Sequence, residues 1–90
     1  MGRTSPTYRR YLEGQREEWH DFERALRHQS TEDYDALFEY ARRYADAAGY
    51  LNRTDPGTAL LLSMLLGVEA ERRQLAERVA ALEEDVTADR

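Results

Sequence analysis

The residues of this 90-residue chain whose types and spacing most resemble a reactive site are Glu17 and His20. Glu-x-x-His on a helix sets a carboxylate and an imidazole on one face, the arrangement that carboxylate-bridged di-iron bundles repeat on two helices. Here it occurs once, and His28 is the only other histidine. Glu17 and His20 also fall off the apolar face marked by Tyr8, Trp19 and Leu26, so a solvated helix surface accounts for the pair and no metal site is expected. The absence of cysteine excludes a disulfide framework, a thiolate zinc site and a cysteine nucleophile. Acid–base chemistry needs carboxylates in contrasting environments or a histidine oriented by an acid. The eighteen acids here lie mostly on polar helix faces, near arginines three or four residues away, as in Glu69–Arg72, Glu69–Arg73 and Glu23–Arg27. Ser5, Ser30 and Ser63 lack a nucleophile-elbow context, and no glycine-rich phosphate loop is present. No catalytic residue, cofactor or small-molecule substrate is expected.

A second chemistry is binding of polyanions. The first twelve residues contain Arg3, Arg9 and Arg10 and no acid, and Tyr8 and Tyr11 bracket the arginine pair. Arginines interleaved with aromatic rings grip phosphates and stack on exposed bases. Three cations make a small footprint on a chain of net charge −5, and both tyrosines also suit core or boundary positions. Nucleic-acid contact is therefore the secondary expectation.

The elements that must position these groups are helical. Ser5 before Pro6 reads as an N-cap with proline at the first helical position. Tyr8, Leu12, Trp19, Phe22 and Leu26 then recur at helical spacing, which predicts a first helix over about residues 6–28. Ser30 followed by Asp33 resembles a capping box, and Tyr34, Leu37, Phe38, Ala41, Tyr44, Ala45 and Ala48 share one face, predicting a second helix over 31–48 with its stop at Gly49. Asp55 and Pro56 open a third, over 56–86. Its first half, Leu60 to Leu66, is apolar on nearly every side and is expected to be surrounded.

Its second half carries a heptad pattern. With Leu61, Val68, Leu75 and Leu82 at d, the a positions are Leu65, Arg72, Val79 and Val86, so seven of eight seam sites are apolar. Valine at a with leucine at d favours parallel two-stranded coils. In such a dimer Arg78 at g faces Glu83 at e of the other chain, and Arg72 reaches its Glu71 at g; pairs of this kind contribute ~0–1 kcal/mol each and set orientation more than strength. By length the three helices span roughly 34, 26 and 46 Å, so the first two sheathe only part of the third. Two arrangements satisfy the seam. Either a second copy or a helical protein partner covers it, or the first helix packs antiparallel along it in a monomer.

The expected fold is thus a single all-α domain over residues 1–90, a helical hairpin on the first half of a long helix that ends as a coiled coil. The expected function is a non-catalytic interaction or scaffold module. Its interface is expected at Val68, Arg72, Leu75, Val79, Leu82 and Val86 with Glu71, Arg78 and Glu83. Among the six tyrosines, Tyr40 and Tyr50 sit where boundary packing or a partner patch would place them. No stretch approaches the ~20 apolar residues of a membrane span, and no secretion signal is recognised, so a cytoplasmic location is expected.

All thirteen basic residues are arginine, and lysine and isoleucine are absent, a bias that GC-rich coding produces and that acidic, salt-adapted proteomes share. The opening Met1-Gly2-Arg3-Thr4-Ser5-Pro6-Thr7-Tyr8-Arg9 resembles the start of a family of small haloarchaeal proteins of unknown function. The centre, Ala45-Asp46-Ala47-Ala48-Gly49-Tyr50-Leu51-Asn52 with Asp55-Pro56, and the Ser63-Met64-Leu65-Leu66 run before a charged coil are similar to it as well. The resemblance implies a salt-adapted cytoplasm and carries no catalytic or binding residue.

Overall fold

The computed structural model describes residues 5–52 and 54–88; the side chains of Ser5 and Pro6, and with them the expected Ser5 cap, lie outside the description. The fold is all-α. The helices are α1 (Ser5–Glu18), α2 (His20–Ala25), α3 (His28–Arg43), α4 (Ala45–Asn52) and α5 (Pro56–Ala88), and no strand occurs among the described residues.

The three expected helices are present with two bends. The first is interrupted at Trp19, whose ψ of 18° departs from helical geometry although Trp19 N–H still bonds Gln15 O (2.9 Å) and Glu23 N–H bonds Trp19 O (3.0 Å). The bend accompanies packing of the Trp19 ring edge-on to Phe38 at 6.1 Å and of Phe22 against Tyr34 at 5.9 Å. Leu26 and Arg27 are extended, so the chain reverses there and α3 starts at His28. Ser30 therefore lies inside the first turn and is not the cap; Arg27 holds that position without a side-chain bond. The second bend is at Tyr44, with ψ of 25°.

Gly49 does not stop the next helix. α4 runs through it to Asn52, because Leu51 packs against the core and Asn52 is buried, which outweighs the ~1 kcal/mol cost of a helical glycine. The stop lies at Leu51, whose carbonyl accepts bonds from Thr54 N–H (3.2 Å), Asp55 N–H (2.9 Å) and the Thr54 hydroxyl (3.2 Å). The start of α5 is as expected: Asp55 accepts from Thr58 N–H at 3.1 Å and from the Thr58 hydroxyl at 2.8 Å.

The core forms where α1, α3, α4 and α5 meet around Tyr8. That ring is fully buried, and its hydroxyl donates to Ala41 O at 3.4 Å. Ala41, Ala45, Ala48 and Ala59 surround it with small side chains, while Leu12, Phe38, Leu60 and Met64 fill the remaining volume. Burial pushes the Tyr8 phenol above its usual range, against a lowering contribution from Ser63. α1 and α3 run antiparallel, since Tyr8 meets Ala41 and Arg16 meets Asp35. Arg16 ties three helices together: it pairs with Asp35 and with Glu23 (3.3 Å) and lies over the rings of Phe38 (5.0 Å) and Tyr34 (5.4 Å). Partial burial works against that charge, but the two carboxylates more than offset it.

α3 and α5 lie side by side in the same direction, with Leu37 and Met64 at one level, Tyr40 over Gly67, and Arg43 ion-paired with Glu71 at 3.6 Å. At Gly67 the helices touch so closely that an added Cβ would lie 2.7 Å from Tyr40 Cδ2 and nearer still to its Cβ and Cγ. Gly14 has open space around it. The two glycines should therefore respond with opposite sign. Gly14→Ala gains about 0.5–1 kcal/mol of stability from helix propensity. Gly67→Ala makes the same gain but overpacks the crossing by about 1–3 kcal/mol, for a net loss, and chemical denaturation of both variants reads the contrast.

Asp55 provides a pH-dependent test. Its bonds to Thr58 hold the carboxyl below the usual range. The cap therefore contributes fully above the ordinary carboxylate value of about 3.9 and is lost as pH falls through the lower folded-state value. Asp55→Asn keeps a capping oxygen without the titration, so the stability difference between wild type and this variant should shrink below about pH 4. An unchanged difference across that range would remove Asp55 from the acid response.

Candidate interaction surface

α5 is 33 residues long and leaves the core at Gly67. The buried residues Ala59, Leu60, Ser63, Met64 and Gly67 define its inward side. Beyond Gly67 no α5 residue is buried among those described, and the arm extends for about 30 Å. The molecule is accordingly elongated, 55 × 37 × 16 Å, with a radius of gyration of 17.1 Å against about 12 Å for a compact chain of this length.

The whole heptad seam lies on the open side of α5. Its apolar members, Leu61, Leu65, Val68, Leu75, Val79, Leu82 and Val86, are 44–63% exposed. α1 does not cover them; it packs on α3 and α4. The alternative in which the first helix seals the seam in a monomer is therefore not the observed arrangement. The expectation that Leu60–Leu66 is surrounded also needs correction. Leu60 and Met64 are buried, but Leu61, Leu62, Leu65 and Leu66 are exposed, because α3 and α4 cover only one side of α5. An apolar strip of this length on one face is the kind of surface that marks an interaction site.

The charged residues of the seam are arranged as follows. Arg72, at a, forms a two-pronged bond with Glu69 (2.9 and 2.8 Å), which holds the Glu69 carboxyl below its usual range. Arg73 pairs with Glu77 at 3.3 Å. Glu71, at g, forms an ion pair with Arg43, whose guanidinium lies 5.1 Å over the Tyr40 ring. Arg78 and Glu83 are exposed and make no ion pair within the chain among the described residues.

One part of this surface was not anticipated. Trp19, Phe22, Tyr34, Leu37, Leu61 and Met64 line an apolar groove between the α2–α3 corner and the start of the seam. Phe22, expected in the core, is 59% exposed at its rim because the bend at Trp19 turns α2 outward. The groove joins residues far apart in sequence, so no local pattern announces it. Its only sequence signal is the excess of leucines in α5 beyond what one buried face can use.

The remaining candidates are dispersed. Arg9 and Arg10 are exposed, Tyr11 is half-buried, and Arg3 lies outside the described residues. Tyr8 has no ring face free for stacking, being enclosed by the core. Glu17 and His20 are both exposed, and the described residues hold no cluster of metal-ligating side chains. Tyr40 is engaged with Gly67 and Arg43, whereas Tyr50 is 91% exposed. No described helix is long and apolar enough to cross a membrane.

No curated protein and no solved structure matches the chain. A family model, described as a domain of unknown function (DUF8156), matches residues 1–90 from end to end. The chain therefore belongs to the DUF8156 family.

Proposed function

We propose that this protein is a non-catalytic interaction module that self-associates through the seam of α5, as a homodimer. One observation carries the reading: an uninterrupted heptad seam from Leu61 to Val86, with seven of eight positions apolar, has none of its apolar members buried by the chain's own helices. Each such side chain moved from water into a seam contributes up to about 1.5–3 kcal/mol, far more than the intrachain pairs that decorate the arm. The same seam on a helical protein partner is the competing occupant. On the resemblance of its opening and centre, together with its lysine-free acidic composition, the protein works in a haloarchaeal cytoplasm.

Light scattering or sedimentation in high salt should report twice the 10.5 kDa chain mass. Leu75→Glu with Leu82→Glu should return the mass to that of one chain while leaving the core folded, because neither residue touches it. A strictly monomeric wild type at tens of micromolar would sink the homodimer and leave the helical partner.

A second reading rests on Arg9 and Arg10, adjacent and both exposed in a segment free of acids. In it the α1 end contacts nucleic-acid phosphates. Arg9→Ala with Arg10→Ala should weaken binding to a duplex or single strand and lower the salt dependence by about two charges. No binding by folded wild type at low salt would dispose of it.

A further inference from the structure

The groove beside Leu61 and the exposed Leu62 lie on opposite edges of one helix, and this decides how two copies fit. α3 flanks the edge of α5 that carries Met64 and Glu71, both g positions. Leu62 and Glu69, at e, lie on the other edge, which is open. In a parallel two-stranded coil the g edge of each helix faces the e edge of the other, whereas in an antiparallel coil like edges face.

Resting on the self-association reading above, we propose that the occupant of the groove is a second copy of this chain in parallel orientation, which seats its Leu62 against Trp19, Phe22 and Leu37. The two-fold axis repeats the contact, so each chain gives one leucine and receives one.

Three features select this arrangement. The first is apolar matching: parallel pairing brings Leu62 of the second copy to the level of the groove, while antiparallel pairing brings Asp85 there. The second is charge. Parallel pairing sets Arg78 against Glu83 of the other copy, and Glu69 of the other copy faces the α3 edge that carries Arg43, already ion-paired with Glu71 at 3.6 Å. The opposing cost is the approach of two Arg72 residues at one a layer, which is reduced because each guanidinium is held by its own Glu69 at 2.8–2.9 Å. The third is area. The half-exposed apolar seam carries on the order of 700 Å² per chain, just below the ~800 Å² of a standard interface, and the groove with Leu62 supplies the remainder.

The chain has no cysteine, so orientation is directly measurable by single substitutions in the full-length protein. Under mild oxidation Leu82→Cys should form a disulfide with itself across the axis. An equimolar mixture of Leu61→Cys and Val86→Cys should give no mixed disulfide. Leu62→Glu, at an exposed site that leaves the protomer folded by circular dichroism, should raise the dimer dissociation constant about tenfold or more. Mixed Leu61–Val86 disulfides with unlinked Leu82→Cys would overturn the parallel seat while preserving self-association. A parallel dimer unaffected by Leu62→Glu would overturn the groove contact alone, and a monomeric wild type would overturn both.

Discussion

The structure is organised by the close approach of α3 and α5 at Gly67, where Tyr40 lies on the bare backbone of the longer helix. A side chain at that position would hold the helices apart and widen the groove that Leu37 and Met64 line one turn earlier. With glycine there, α3 reaches its end against α5, where Arg43 forms an ion pair with Glu71. α5 then continues with no neighbour. The division of this helix into a packed half and a projecting half thus follows from one missing Cβ and from the length of α3.

The parts of the fold governed by local chemistry were legible in the sequence. The Asp55–Pro56 start of α5 rests on contacts within three residues, and its long heptad pattern survives into the structure as one face of one helix. The bends at Trp19 and Tyr44 were not legible, because the apolar period continues across both and the turn is demanded by where Phe38 and the α4 alanines sit. Gly49 misled for a related reason: its local preference for ending a helix is smaller than the gain from burying Leu51. Ser30 misled because the chain reversal at Leu26 and Arg27 had already started the helix at His28.

The candidate surface was half legible. Heptad spacing identified Val68, Arg72, Leu75, Val79, Leu82 and Val86 as one stripe. An apolar helix that needs covering does not say whether its own chain or another molecule covers it, and only the placement of α3 and α4 shows that Leu61, Leu62, Leu65 and Leu66 are left open. The groove involving Phe22 required the fold itself. The arginines likewise divide into two groups once the structure is known. Arg16 and Arg43 hold helices together inside the protomer, whereas Arg78 is exposed on the arm and pairs with no acid among the described residues.

α5 supplies both the floor of the hydrophobic core and the projecting stripe, with no hinge between them. Anything that engages the stripe requires it to be helical and therefore favours the ordered form of the same segment that Leu60 and Met64 anchor. In the self-association proposed above, occupancy and folding are linked by mass action, so the melting temperature is then a function of concentration rather than a constant of the chain. For a small core in which four of the ten buried hydrophobic residues are alanines, that proposed coupling would make the protein more stable in company than alone.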